Sequence, residues 1–269
     1  MSTVSTSSSP IVIKIGGVAL EQQSASPALW KRLVALHRSN PGGIVLVHGG
    51  GKAVDRLLTQ LGMETRRHNG LRITPSDQMD VIAGVLAGTL NKKLVGCMNA
   101  AGGKAVGLCL GDGNDLETTR LRVDGADLGC VGEVTGGTAA LLRTLLSAGY
   151  MPVVACVGID TEGTLLNVNG DDAAAGVAKA VSAKSLVLLT DVAGVLDEHK
   201  RLIPQLSRAD IARLAERGVI TGGMIPKLQA AAATAQHLNA PVTIMSGSVT
   251  TDLERWAAGE TVGTRVTPD

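Results

Sequence analysis

The sequence predicts an α/β fold: a doubly wound, mainly parallel sheet with helices on both faces, an αβα sandwich of two lobes. Three observations carry that expectation. Short β-branched apolar runs alternate with longer stretches of helical periodicity along the whole chain, the pattern of successive strand–helix crossovers. The 269 residues correspond to roughly two average domains or one large α/β domain. Aromatic side chains amount to two Trp, one Tyr and no Phe. Leu, Val, Ile, Ala and Met must therefore fill the core, which suits helices packed closely on a parallel sheet.

The first strand is Ile11–Ile15. The Ser/Thr-rich residues 1–10 before it lack the basic start and apolar core of a signal peptide and read as a short tail. A helix over Ala28–Arg38 leads to the strand Ile44–Val47, and Lys52–Leu61 is the next helix. Glu64–Ile73 is polar and alternating, with the strong turn signal Asn69-Gly70, and reads as a hairpin. Thr74 reads as the N-cap of a helix that opens on Pro75, where proline is well placed. That helix runs to Leu86, and another covers Leu90–Ala100. The strand Ala105–Cys109 and a second polar hairpin, Glu117–Glu133, follow. Helix Thr138–Ala148, strand Met151–Val157, helix Asp171–Val181 and strand Leu186–Leu189 continue the alternation. Helices Ala209–Arg217 and Lys227–Leu238, strand Pro241–Met245 and helix Asp252–Ala257 complete it. The chain divides near residue 182, into lobes 1–182 and 183–269. Uncharged stretches such as Leu228–Thr251 are broken by Pro, Asn, Gln and His, so no membrane span is expected.

Composition narrows the function. Lys and Arg number 25 against 24 Asp and Glu, a balance without the basic footprint that nucleic acid or an anionic membrane requires. Base stacking wants aromatics that this chain scarcely has. Cys97, Cys109, Cys130 and Cys156 form no C-x-x-C pair, and no histidines stand at metal-ligand spacing, so neither a zinc site nor a disulfide framework is expected. They read as small, half-buried thiols of a reducing, cytoplasmic compartment.

Chemistry gathers instead at strand ends. The first strand closes on Lys14-Ile15-Gly16-Gly17. A lysine there fits either a snorkelling side chain over a turn or an anion met by the ammonium and by backbone N–H groups that glycines expose. The second strand ends Val47-His48-Gly49-Gly50-Gly51-Lys52 and runs into a helix. Three glycines before a helix N-terminus make a cradle for phosphate or carboxylate. The spacing satisfies neither a Walker A loop nor a dinucleotide fingerprint. Arg72, just after the hairpin turn, is either a solvated surface residue or a bidentate fork for a carboxylate. Asn167-Val168-Asn169-Gly170-Asp171-Asp172 opens an Ala-rich helix. Capping needs one of these side chains; the others could bind an amino-acid substrate, orient a lysine or hold Mg²⁺. Asp191 ends a strand, at a place suited to a nucleotide. Lys227 opens a helix, where its charge opposes the helix dipole and calls for an anion. No Ser–His–Asp or Cys–His set is evident. Cationic positioning without a covalent nucleophile points to phosphoryl transfer.

From about residue 10 to residue 266 the chain resembles the acetylglutamate kinases of the amino acid kinase family. IVIKIGGVAL, VLVHGGGKAVD, NGLRITPSDQMD, LAGTLNKKLV, GLCLGDG, LNVNGDDAA, LLTDVAGVLD, GVITGGMIPK and GTRV carry the resemblance. NGLRIT and NVNGDDAA separate it from the aspartate, carbamate, uridylate and glutamate kinases. The resemblance implies transfer of the γ-phosphoryl group of Mg-ATP to the γ-carboxylate of N-acetyl-L-glutamate, a step of arginine biosynthesis. It implies that Lys14 and Lys227 stabilise the moving phosphoryl group and that Asp171 holds both lysines. It assigns Gly16 and Gly17 to the phosphates, Gly49 and Gly50 to the reacting carboxylate, Arg72 to the α-carboxylate and Asn167 to the acetamido side. Asp191, Val192, Ala193, Gly194, Val195 and Leu196, with Val219, Ile220 and Thr221, would line the ATP site. Mg²⁺ would ride mainly on the nucleotide phosphates, with no protein ligand named.

One departure qualifies the resemblance. Arginine-inhibited relatives carry an extra N-terminal helix that links dimers, whereas about ten residues precede the first strand here. A homodimer insensitive to arginine is therefore expected. The assignment of Asp171 rather than Asp172 rests on motif alignment. A kinase of another acid and a catalytically silent ligand-binding protein are the competing readings. Retention of both lysines and of Asp171 speaks against the second.

Overall fold

The computed structural model describes residues 9–16, 20, 27–123 and 125–269. Elements are numbered along the chain. Eight strands form the central sheet. In spatial order they are β12 (Gln205–Leu206), β14 (Thr264–Val266), β13 (Val242–Ser246), β11 (Ser185–Thr190), β1 (Ile11–Ile15), β2 (Ile44–His48), β8 (Met151–Ala155) and β5 (Ala105–Cys109). Every neighbouring pair is parallel except β13 with β14. The expected doubly wound fold is what forms. The division near residue 182 falls between β1 and β11, adjacent strands of one continuous sheet.

Strand alternation decides which side chain meets which layer. Ile11, Ile13 and Ile15 point to the face covered by α1 (Pro27–Ser39), α4 (Asn91–Ala100) and α9 (Thr250–Ala257). Val12 joins the opposite core, under α6 (Gly170–Ala180) and α8 (Met224–Leu238). Lys14, two residues on, shares the side of Val12 and so faces α6. The buried faces of α6 and α8 are small: Ala173, Ala174, Val177 and Ala178 on one, Leu228, Ala231, Ala232 and Ala235 on the other. The two helices pack on each other, which brings their first turns side by side. Alanine does here what aromatic bulk would prevent.

Other helices are α2 (Gly51–Gln60), α5 (Ala140–Ser147) and α7 (Arg208–Glu216). A second, four-stranded sheet is ordered β6 (Leu116–Arg120), β7 (Val131–Gly137), β10 (Leu165–Val168), β9 (Val157–Ile159). A ribbon of β3 (Arg67–His68) and β4 (Leu71–Arg72) turns through Asn69 and Gly70, both at positive φ, as an Asn-Gly hairpin turn requires.

Three local expectations are corrected. The run Met151–Val157 is not one strand. It leaves the central sheet after Ala155 and enters the second sheet at Val157, so Cys156 sits where the chain changes sheets. Thr74 does not cap the next helix: α3 (Ser76–Ala83) has Pro75 at its cap, and Thr74 Oγ1 donates to Arg72 O instead (3.0 Å). The two helices expected over residues 75–100 are one, with α3 passing through a π-helical segment, Gly84–Leu90, into α4. That helix, Ser76–Ala100, is long and apolar enough to cross a membrane by length and composition alone. Met79, Ile82, Leu86, Leu90, Leu94 and Met98 bury its stripe in the fold, as in a core helix.

Candidate active site

The carboxyl ends of β1 and β2 and the N-terminus of α6 meet at one point, the usual place for ligands in an open α/β sheet. Glycine makes the meeting possible. A Cβ on Gly170 would lie 3.3 Å from Lys14 Cε and 3.5 Å from Gly49 Cα, and one on Gly16 would lie 2.7 Å from Lys14 Nζ. Gly49 N donates to Ile15 O (3.2 Å), tying the two strand ends together. Gly50 caps α2 without any side-chain hydrogen bond, so the first-turn N–H groups of α2 keep the character of an anion cradle. Gly17 lies outside the described residues.

Asn169 caps α6, its Oδ1 accepting from the N–H groups of Asp171 (2.8 Å) and Asp172 (3.3 Å). That leaves the Asp171 carboxylate free for other work. Its Oδ2 accepts a hydrogen bond from Lys227 Nζ at 2.7 Å. Its Oδ1 lies 2.9 Å from Lys14 Nζ, a second ion pair on the same carboxylate. Burial pushes the Asp171 carboxyl up, and the two ammonium groups outweigh it, holding the group below its ordinary value of 3.8. A carboxyl lowered in the fold stabilises the protein at every pH above its unfolded value and loses that contribution as pH falls through the folded one. Below pH 3.8, stability is therefore expected to fall less steeply with acid in Asp171→Asn than in wild type. Equal slopes in acid unfolding followed by circular dichroism would refute this.

The cavity beside this triad has a volume of about 220 Å³. Lys14, Gly16, Gly49, Gly50, Arg67, Arg72, Asn167 and Asp171 are among its walls. Arg72 is no solvated surface residue: it is 7 % exposed. Its Nη1 donates to Asp55 Oδ1 (2.5 Å) and its Nη2 to Gly51 O (3.0 Å). Asp55 Oδ2 in turn accepts from Arg67 (2.9 Å). Asn167 donates through Nδ2 to Thr74 Oγ1 (3.0 Å), which fixes its carboxamide in the wall. Three cationic side chains face one carboxylate in this cavity, which suits it to an acidic ligand.

Asp191, Val192, Ala193 and Leu196 are exposed beyond β11, whereas Gly194 and Val195 are buried. The Val195 N–H donates to Thr264 Oγ1 (2.8 Å). A Cβ on Gly194 would come within 2.6 Å of Leu202. Val219 and Ile220 pack in the same apolar cluster as Val195, and Thr221 is exposed just ahead of α8. Neither segment lines the 220 Å³ cavity. Lys227 stands between the two groups through its bond to Asp171.

Several residues escaped the sequence reading. Arg67 and Arg72 pair directly across the hairpin. Like charges so placed repel unless a carboxylate sits between them, a signal that could have found Asp55. His48, fully buried, is pushed down to about 4 by desolvation and is therefore neutral. Cys156 also lines the cavity. Burial raises its thiol to about 11, which removes it as a nucleophile at neutral pH.

Residues 9–246 match the model of the amino acid kinase family. The chain belongs to that family. The acetylglutamate kinase of Pectobacterium atrosepticum is 43 % identical over 257 residues, covering 96 % of this chain and 98 % of that protein. The crystal structure of smu.665 from Streptococcus mutans UA159 superposes with a TM-score of 0.79 at 30 % identity, covering 96 % and 98 % of the two chains. The carbamate kinase of Giardia lamblia bound to AMP-PNP, 18 % identical with a TM-score of 0.69, covers 98 % of this chain and 100 % of its own, a likeness of fold. In this amino acid kinase, then, the lysine–aspartate–lysine arrangement lies at the strand ends of the family fold.

Proposed function

We propose that this amino acid kinase transfers the γ-phosphoryl group of ATP to the γ-carboxylate of N-acetyl-L-glutamate in arginine biosynthesis. The product is N-acetyl-L-glutamyl 5-phosphate. The observation that carries the reading is Asp171 clamped between Lys14 and Lys227 beside the glycine cradle, in a chain 43 % identical to an acetylglutamate kinase. A carboxylate oxygen attacks the γ-phosphorus, the bond to the β–γ bridging oxygen breaks, and ADP leaves with that oxygen. The nucleophile is already ionised at neutral pH, so no general base is needed. The barrier is the approach of two anions. Lys14 and Lys227 lower it by meeting the charge on the transferring group, and the Gly49–Gly50 cradle receives the reacting carboxylate. Gly16 and Gly17 meet the phosphates.

Arg72, aimed by Asp55, takes the α-carboxylate, and Asn167 the acetamido group. Residues 1–182 bind the acid; residues 183–269 bind ATP through 191–196 and 219–221. The exposed Val192 and Leu196 offer apolar surface to the base. Among the described residues no three His, Cys, Asp or Glu side chains gather as an ion site, so no protein ligand is assigned to Mg²⁺. Carried on the nucleotide phosphates, it supplies charge neutralisation. The enzyme works as a cytoplasmic homodimer.

ADP release from Mg-ATP and N-acetyl-L-glutamate, with hydroxylamine present to trap the acyl phosphate, tests the reaction. Hydroxamate that fails to form with free glutamate supports it. ATP binding without turnover on either acid overturns it. Asp55→Ala should raise KM for the acid about ten- to a hundredfold, since a charge-assisted hydrogen bond is worth roughly 1.5–3 kcal/mol, and leave KM for ATP unchanged. An unchanged KM for the acid would remove Arg72 from this role.

A further inference from the structure

The π-helical segment Gly84–Leu90 interrupts a helix that is otherwise regular from Ser76 to Ala100. Such wide turns are rare and concentrate at functional sites. Here the segment lies against the glycine cradle. A Cβ on Gly50 would come within 2.3 Å of Leu90 Cδ1 and 2.8 Å of Leu86 Cδ2, so both leucines press on that glycine. The residue that follows the segment is Asn91, only 1 % exposed. Its Nδ2 donates to Val153 O (2.8 Å) and to His48 Nε2 (3.1 Å). The neutral imidazole then carries its proton on Nδ1, 2.9 Å from Gly49 O, and donates there. A Cβ on Gly107 would stand 1.9 Å from Asn91 Oδ1; β5 has a glycine where the carboxamide must pass. A satisfied buried hydrogen bond contributes only about 0.5–1.5 kcal/mol net to stability. This one ends on the carbonyl of Gly49, while the leucines ahead of it end on Gly50.

We propose that the π-helical segment and the His48–Asn91 pair are a positioning device for the Gly49–Gly50 cradle, with His48, Asn91, Leu86 and Leu90 as positioning residues. The catalytic consequence rests on the phosphoryl-transfer reading above. The device fixes the peptide groups that meet the reacting carboxylate, and its effect belongs in the transition state rather than in nucleotide affinity.

Asn91→Leu keeps the shape and removes both donors. Its kcat is expected to fall about ten- to a hundredfold, the scale of a small misplacement of reacting groups, with KM for ATP within twofold of wild type. Hydrogen exchange at the Gly49 amide, which bonds Ile15 O, is expected to speed up about tenfold. Where Asn91→Leu does not fold, Asn91→Ser carries the same test. A kcat within twofold of wild type, or a loss shared equally with KM for ATP, overturns the proposal. Should wild type form no hydroxamate, the phosphoryl-transfer reading fails by itself. The Gly49 exchange rate then decides the positioning role: acceleration supports it and an unchanged rate overturns it.

Discussion

Lys14→Ala and Lys227→Ala are each expected to lower kcat by about three orders of magnitude while the protein stays folded. The magnitude follows from removing one preorganised cation aimed at charge that develops on the moving phosphoryl group, about 10²–10³ for a single donor and more for a full charge. Folding survives because each variant leaves Asp171 paired with the other lysine, at 2.7 or 2.9 Å. No buried carboxylate is orphaned, which is the costly event when an ion pair is broken. Asp171→Ala differs in kind. It leaves two ammonium groups held near each other with nothing between them, so stability and turnover should both fall. Lys14→Arg is not expected to rescue, because the space around Nζ is open only by the lack of a side chain on Gly16 and a guanidinium is broader than an ammonium. Steady-state kinetics with coupled ADP detection, alongside thermal unfolding, checks all four. Turnover within tenfold of wild type in Lys14→Ala or Lys227→Ala removes that lysine from the chemistry.

How far the sequence carried this picture depends on the range of each interaction. Local rules marked Lys14, a lysine on a short apolar strand before glycines, and marked the acids after Gly170 as more than one N-cap needs, but the role of Lys14 and the choice of Asp171 over Asp172 came from the motif resemblance. Asn169 proved to be the cap, which is why its neighbour could be spared. Six of the eight central strands were legible because each is a continuous apolar run; β12 and β14, two and three residues long, were not. In the second sheet the expected hairpin Glu117–Glu133 falls on the antiparallel pair β6–β7, but the other half was not legible. β9 and β10 are three and four residues long, and β10 pairs in parallel with β7, more than thirty residues back in the chain. No local periodicity announces such a pairing. The π-helical segment escaped for another reason. GVLAGTL carries two glycines and β-branched Val and Thr, which weaken a helix without specifying a wide turn, and its packing against Gly50, a residue in another element, is fixed only by the assembled fold. Asp55 and the His48–Asn91 pair belong to the same class, polar residues whose partners are fixed only by the assembled fold.

Gly129→Ala should couple a stability loss to a binding defect. Gly129 has φ +68, and a Cβ there would lie 2.3 Å from Thr74 O and 2.9 Å from Thr74 C. The left-handed backbone costs a non-glycine residue roughly 1–2 kcal/mol, and forcing a methyl against main chain costs about 1–3 kcal/mol more. The melting temperature should drop by roughly 5–15 °C for a chain of this size. The contact cannot relax cheaply, because Thr74 is held on both sides of its peptide. Its N–H donates to Leu128 O (3.0 Å), and its carbonyl accepts from Cys130 N (2.7 Å). Shifting Thr74 moves the hydroxyl that accepts from Asn167 and donates to the carbonyl of Arg72. Both residues assigned to the acid are displaced together, and KM for N-acetyl-L-glutamate should rise about tenfold or more with KM for ATP unchanged. Gly163→Ala is the control: φ is +82 there, but nothing lies within 4 Å of the added methyl. It should show only the backbone cost, with both KM values at wild-type levels. Equal melting temperatures for the two variants, or an unchanged KM for the acid in Gly129→Ala, would mean that Thr74 does not link the second sheet to the acid site.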